Sequence, residues 1–158
     1  MGSNLSETAV GAVGEALVAA RLAISSAGRL MPFAPIADDG GLDLLVHDRL
    51  TGRSWPLQVK CRTKTIAGSK SILQFQVRKA TFNAWPNAFL LAAFIDIHTE
   101  VLSVRRAWLV PMRALPAIAK SQEKNYVIRP SWSDNSCDKY TQYRCTTMGD
   151  VVQRLLAQ

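Results

Sequence analysis

The order of apolar and polar segments along the chain predicts an α/β fold. A helical apolar period near the amino end is followed by several short apolar runs of strand length, and a second helical pattern closes the chain. Turn-forming residues separate these segments. With 158 residues, 48% of them hydrophobic, the chain can bury a core without disulfides or a structural metal. We expect a single domain spanning residues 1–158.

The first third of the chain reads as a helix and then a strand. Apolar residues recur at helical spacing over residues 7–27, and Gly28 ends this helix. Two prolines in residues 29–36 exclude a helix there and favour an edge strand. The sequence ADDGG at 37–41 is typical of a turn.

The middle of the chain predicts five more strands. LDLLVH (42–47) and SWPLQVKCR (54–62) form a hairpin around DRLTGR, and a polar loop follows at 63–70. SILQFQV (71–77) alternates like a strand. FLLAAFID (89–96) has the length and composition of a buried central strand, with VRRAWLVP (104–111) as its hairpin partner.

The remaining segments are predicted to be short or irregular, apart from a helix at the end of the sequence. KATFNAWPN (79–87) is a short helix or turn that Pro86 stops, and MRALPAIA (112–119) is a short helix that Pro116 interrupts. Residues 124–144 are mostly irregular with one strand. Thr147, with Asp150 three residues later, begins a final helix.

The net charge of +7 is unevenly distributed. Residues 1–48 carry two basic and six acidic side chains, a balance of −4, whereas residues 49–95 carry eight basic side chains and no acidic one. A local excess of this size favours a polyanionic partner such as nucleic acid. A solvated basic surface without such a partner is the alternative.

The cysteines and the hydropathy of the sequence indicate the cellular environment in which we expect the protein to work. The three cysteines are an odd number without a CxxC pair, which predicts neither disulfides nor a zinc site and suits a reducing cytoplasm. No apolar run approaches the roughly 20 residues that span a bilayer, so we expect no membrane partner. The four tryptophans read as packing residues, and Trp85 is the one to consider as a base-stacking residue.

Polar residues interrupt the predicted central hairpin. If its strands pair around the four-residue loop 49–52, Asp43 faces Gln58, and alternation puts Gln58 and Lys60 on the same sheet face as Asp43. Asp43 and Lys60 could be an ordinary ion pair on a wet face, worth at most about 1 kcal/mol. The flanking leucines and valines instead indicate a covered sheet, where charges are costly unless they are paired or bind a metal.

These residues resemble the motif of the PD-(D/E)XK nucleases, the restriction-endonuclease-like superfamily. The matching residues are GLDLLV … LQVK, with 14 residues between Asp43 and Gln58, and a Gly14-Glu15 pair in the first helix. The chain is similar to uncharacterised bacterial members with the D…QxK variant. The resemblance implies a central mixed β-sheet flanked by helices, built in α-β-β-β-α-β order.

The resemblance also implies a site for Mg²⁺ or Mn²⁺. Asp43 would be the principal ligand, with oxygens from Gln58 and the main chain of Val59, and with Glu15 binding directly or through water. Lys60 would orient the attacking water and stabilise negative charge. Phosphate contacts would come from basic residues that follow the motif: Arg62, Lys64, Lys70, Arg78 and Lys79.

Gln58 stands where a carboxylate is commoner in this superfamily. An uncharged amide would bind the metal more weakly, and Glu15 and Asp39 would then matter more. The expected function is therefore a metal-dependent DNA endonuclease in restriction, recombination, repair or mobile-element defence, with a homodimer expected from that class. The alternative is a non-catalytic module on a degenerate nuclease fold that binds nucleic acid or another partner. A small-molecule enzyme lacks support, because the sequence has no phosphate-cradling glycine motif and no nucleophile–base pair.

Overall fold

A mixed sheet of six strands forms the centre of the fold. The computed structural model describes residues 6–37, 40–97 and 101–158. The helices and strands in chain order are α1 (Glu7–Ser25), β1 (Leu30–Phe33), β2 (Leu44–Asp48), β3 (Ser54–Arg62), β4 (Phe75–Arg78), β5 (Phe89–Asp96), β6 (Ser103–Pro111), α2 (Leu115–Ile118), β7 (Lys120–Ser121), β8 (Asn125–Ile128), β9 (Arg144–Cys145) and α3 (Met148–Leu156). Single 3₁₀ turns lie at Lys79–Thr81, Met112–Ala114 and Thr141–Tyr143.

The strand order in the main sheet is β1-β2-β3-β5-β6-β9. Neighbouring strands are antiparallel except for the central pair β3 and β5, which run parallel. A second sheet of three antiparallel strands has the order β4-β8-β7. The predicted fold class, α/β with a mixed central sheet flanked by helices, is confirmed.

Helices α1 and α3 cover one face of the main sheet. The side chains that pack there come from alternate strand positions and from the buried stripes of the two helices, among them Val18, Leu22, Val46, Leu57, Val59, Leu91, Val151 and Leu155. Helix α1 comes very close to the strands at Gly14. A Cβ atom on Gly14 would lie 2.3 Å from the Cys61 sulfur and 2.9 Å from Ile95 Cδ1. The glycine is therefore needed for the close approach of the helix.

The second sheet and α2 cover the opposite face over β5 and β6. This second core includes Phe75, Val77, Leu90, Trp108, Leu115 and Ile128. Strand β5 is buried on both faces, which explains why its sequence is a continuous apolar run. The chain thus has three layers, and the boundary between the two sheets is where polar side chains of β3 and β4 meet.

Most predicted elements match the structure, and the exceptions have physical reasons. The strand predicted at 71–77 is β4, which pairs with β8. The α-helix that the α-β-β-β-α-β order places before β5 is wrong, because residues 79–81 form only one 3₁₀ turn and Pro86 follows closely. Pro116 does not interrupt α2 but occupies its first turn, where a proline costs no hydrogen bond. The final helix has the predicted capping box of Thr147 and Asp150, and Thr146 and Thr147 N–H groups keep the pKa of Asp150 low.

Helix α1 has one property that the sequence analysis missed. An 18-residue window within its 19 residues has a mean hydropathy of 1.4, so length and composition alone would allow it to cross a membrane. The many alanines of the helix raise this mean, whereas Glu15 and Arg21 interrupt the apolar residues, so the sequence still has no unbroken apolar run of about 20 residues. In this fold, Gly14, Val18 and Leu22 of the helix are buried against the main sheet.

Candidate active site

The register of the β2–β3 hairpin positions the candidate site. Leu44 pairs with Leu57 and Val46 pairs with Trp55, which is the register that the four-residue loop predicts. Gly52 closes the loop at φ +74°, a conformation that favours glycine, and its N–H donates to the Asp48 carbonyl at 2.8 Å. Residues 58, 60 and 62 of β3 consequently share the face that points away from the helices.

Asp48 anchors the loop end of the hairpin. Its carboxylate accepts two hydrogen bonds from Arg29, at 2.9 and 2.8 Å, and further bonds from Thr51 Oγ1 and the Leu50 N–H. The Arg29 guanidinium is the main reason that the pKa of Asp48 lies far below its usual range. No local sequence pattern predicts this role for Asp48, because its partner Arg29 lies 19 positions away in the chain.

Asp43 lies just before β2 and is held against β3. Its N–H donates to the Leu57 carbonyl at 3.0 Å, and its carboxylate Oδ2 accepts the Val59 N–H at 2.6 Å. The same oxygen lies 3.8 Å from Lys60 Nζ. The Asp43 side chain is only 8% exposed, so this carboxylate is largely shielded from water.

The main chain at Val59 also faces this carboxylate. In a β-strand the N–H and C=O of one residue point to the same side. Because the Val59 N–H reaches Asp43, the Val59 carbonyl is directed to the same side of β3. The Val59 carbonyl and the Asp43 carboxylate thus lie on the same side of β3.

Gln58 places an unpaired amide oxygen beside Asp43 and Lys60. The residue is 5% exposed, and its Oε1 atom is buried without a hydrogen-bond partner in the described part of the chain. Leaving a buried acceptor unpaired costs about 1–3 kcal/mol. Such an atom is a structural reason to expect a ligand at this position.

These side chains open into a pocket of about 390 Å³ between the two sheets. One wall is β3, and the other comes from β4 and β8. The lining residues are Gly41, Asp43, Gln58, Lys60, Arg62, Gln76, Arg78, Thr81 and Asn125. Three of these side chains are cations and one is an anion, so the described lining favours an anionic ligand.

Arg62 is held in a fixed orientation in the pocket wall. Its Nε donates to the Gln74 carbonyl at 3.0 Å and its Nη1 donates to the Cys61 carbonyl at 3.2 Å. The Gln74 side-chain oxygen in turn accepts a hydrogen bond from Arg129 Nε at 2.7 Å. These hydrogen bonds link β3 to the segment after β8. The sequence predicted no function for that segment.

Several lining residues were absent from the sequence-based site. Asn125 has no local signal, since only the pairing of β4 with β8 brings it opposite Arg78. Gly41 has φ +67°, and a Cβ there would lie 2.9 Å from Thr81 Cβ and from the Thr81 carbonyl oxygen. The glycine pair before the motif could have indicated such a close approach.

Other predicted site residues lie outside the described pocket lining. Glu15 is half-buried on α1. Burial of the Cys61 thiol is the main cause that raises its pKa to about 12, and the negative charge of Glu15 raises it further. Lys64 and Lys70 lie on the loop after β3, and both are exposed. Lys79 donates to Ser121 Oγ at 2.8 Å and lies over the Tyr126 ring.

The described residues contain no group of three or more histidine, cysteine, aspartate or glutamate side chains that could hold a metal. Asp39, considered as a supplementary ligand, lies outside the described residues. A metal at Asp43 would therefore depend on neutral oxygens from Gln58 and Val59 within the described part of the chain. Amide and carbonyl oxygens are suitable ligands for hard divalent cations.

A solved structure with the same fold is that of a bacterial homing endonuclease, I-Ssp6803I. The two chains align with a TM-score of 0.62 at 17% identity, over 100% of this chain and 97% of that one. The fold is thus one that a homing endonuclease uses. No family model matches this sequence, and no curated protein matches it either.

Proposed function

We propose that this protein is a metal-dependent DNA endonuclease whose site is formed by Asp43, Gln58 and Lys60. The observation that carries the proposal is the buried, unpaired Oε1 of Gln58 beside the Asp43–Lys60 pair, in a cation-lined pocket. The likeness of the fold to a homing endonuclease supports a nuclease activity. The D…QxK variant of the PD-(D/E)XK motif and a place in restriction, recombination, repair or mobile-element defence belong to the same proposal.

The residues at the site fit Mg²⁺ or Mn²⁺. Asp43 would supply a carboxylate oxygen, Gln58 the unpaired amide oxygen and Val59 its main-chain carbonyl. A bound divalent cation would lower the pKa of a coordinated water and neutralise charge that develops on the phosphate. Glu15 would assist through water from α1.

Other groups of the protein would orient the Asp43 carboxylate, the attacking water and the phosphates. The Val59 N–H holds the Asp43 carboxylate in one orientation, so the ligand needs little reorganisation. Lys60 Nζ, close to the same carboxylate, orients the attacking water and stabilises negative charge on the phosphate oxygens. Arg62 and Arg78 contact the neighbouring phosphates from opposite walls of the pocket.

Cleavage of supercoiled plasmid DNA tests this function. Wild-type protein with Mg²⁺ or Mn²⁺ should nick the plasmid, and Asp43→Asn and Lys60→Ala should each lower the rate by about 10²–10⁴-fold, since both act on the reacting groups. Lys70→Ala, a basic residue outside the pocket lining, is the matched control and should cut at close to the wild-type rate. Equal cutting by all four proteins, or cutting in EDTA, would contradict the proposal.

A non-catalytic nucleic-acid-binding module on the same fold is the second candidate. The neutral Gln58 and the absence of a three-carboxylate cluster among the described residues favour it. In that case the protein should bind DNA with a strong salt dependence and show no metal-dependent nicking. Calorimetric titration with Mn²⁺ separates the two candidates, because only the catalytic one requires a metal-binding signal that Asp43→Asn abolishes.

A further inference from the structure

A shallow apolar cleft adjoins the cation-lined pocket. It shares Gly41, Gln58 and Thr81 with that pocket and continues over Pro56, Met112 and Trp85. Trp85 is 48% exposed, whereas Trp55 and Trp108 are 3% and 0% exposed. An aromatic surface therefore lies next to the position where the proposed function puts a phosphate.

The loop that carries Trp85 is held in place by hydrogen bonds. The Trp85 N–H donates to Asn83 Oδ1 at 3.2 Å, and the Ala88 N–H donates to the Trp85 carbonyl at 3.1 Å. Asn87 Nδ2 donates to the Ser54 carbonyl at 2.8 Å, which ties the loop to β3. The indole is thus presented at the surface by a braced turn, and little entropy is lost when a ligand stacks on it.

We propose that Trp85 stacks on an unpaired nucleobase of the strand whose phosphate occupies the cation-lined pocket. This inference rests on the proposed function only in that the pocket holds a phosphate. Aromatic side chains beside a positively charged groove are the usual platform for the bases of single strands. The adjoining cleft encloses only about 20 Å³, so the base would lie across the exposed indole and not inside a cavity.

Stacking on Trp85 restricts the class of substrate. Inside a continuous duplex, both faces of every base are covered by neighbouring bases, and a side chain cannot stack on them. A base must be single-stranded, bulged, at a branch, or flipped out of the helix to be reached. DNA with unpaired nucleotides next to the bound phosphate is therefore the preferred ligand, ahead of uninterrupted duplex.

Binding of two oligonucleotides in EDTA tests the inference without any catalysis. One probe is a duplex with a bulged 2-aminopurine, and the other is the fully paired duplex of the same sequence. The wild-type protein should bind the bulged probe more tightly and quench its fluorescence. Trp85→Ala should weaken binding to the bulged probe by about 5- to 150-fold, with little change for the paired duplex.

Two further variants complete the experiment. Trp85→Phe keeps an aromatic face and should retain most of the preference for the bulged probe. Leu50→Ala removes another exposed apolar side chain, 76% exposed in the loop of the hairpin, and should bind both probes like the wild type.

Three results would overturn the inference: an equal loss on both probes, no loss on either, or no binding of either probe by the wild type. If Trp85→Ala changed the binding of neither probe, the exposed indole would instead be assigned to contact with a protein partner. Nicking with Mg²⁺, measured in parallel, separates the two proposals. Nicking without a Trp85 effect contradicts this inference alone, and a Trp85 effect without nicking contradicts only the catalytic proposal.

Discussion

At the scale of single residues, the Gln58 amide lowers the stability of the folded chain and also offers an oxygen atom to a ligand. A buried amide oxygen without a partner among the described residues destabilises the folded chain, and strain of this kind is characteristic of functional positions. Asp43 and Lys60, in contrast, are paired: their charges lie close to each other, and the carboxylate also accepts a main-chain hydrogen bond. In our proposal, the three side chains together form one ligand-binding set.

Gln58→Met should make the protein more stable and inactive. Methionine has a similar length and removes the unpaired acceptor, so the free energy of unfolding should rise by about 1 kcal/mol. Urea denaturation measures this change, and plasmid nicking measures the loss of activity. Gln76→Met, on the opposite wall of the pocket and only half-buried, is the control and should change stability by less. A clearly destabilised Gln58→Met would show that the amide is satisfied in the folded protein.

At the scale of elements, the contact between α1 and the main sheet depends on Gly14. The helix buries its stripe against β3 and β5, and the glycine lets the backbones approach at Cys61 and Ile95. The close packing at this position is sufficient to explain why it lacks a side chain. The helix also carries Glu15, so the depth at which it packs sets where that carboxylate lies.

Gly14→Ala and Gly11→Ala should change stability in opposite directions. The added methyl group at position 14 meets the Cys61 side chain and Ile95, and should lower the free energy of unfolding by about 1–3 kcal/mol. Gly11 lies in the same helix, and a Cβ added there would meet nothing within 4 Å, so alanine should stabilise by about 0.5–1 kcal/mol through its higher helix propensity. Thermal and urea denaturation of both variants provide the comparison. Destabilisation of both to the same extent would contradict this account of α1.

At the scale of the whole molecule, the two sheets together create an electropositive pocket. The basic residues of 49–95 are dispersed along the sequence. In the folded chain some of them line the pocket and others lie outside it. Lys60, Arg62 and Arg78 converge, whereas the neighbour of Arg78 in the sequence, Lys79, is engaged by Ser121 and Tyr126. The adjacent pair Arg78 and Lys79 therefore offers an internal comparison.

Arg78→Ala should reduce the salt dependence of DNA binding, and Lys79→Ala should leave it nearly unchanged. Loss of one phosphate contact lowers the slope of log K against log salt concentration by about 1. Fluorescence anisotropy over a range of salt concentrations in EDTA measures the slopes without cleavage. If Lys79→Ala lowered the slope as much as Arg78→Ala, phosphates would be bound outside the pocket as well.

Local patterns in the sequence are sufficient to predict most of the helices and strands and the register of the β2–β3 hairpin. Strand alternation and a four-residue loop placed Gln58 and Lys60 on one face, and the same local rules predicted β5 and the capping box of α3. These features depend on residues close together in the chain, and for that reason they can be deduced from it.

The surroundings of Asp43, Gln58 and Lys60 depend on long-range packing that the sequence does not show. The pairing of β4 with β8 brings Asn125 opposite Arg78, and the stacking of the two sheets buries the Gln58 oxygen. It also leaves Trp85 exposed beside the pocket. No local pattern specifies such contacts, because they join segments that are distant in the chain and depend on which apolar faces bury one another when the layers assemble.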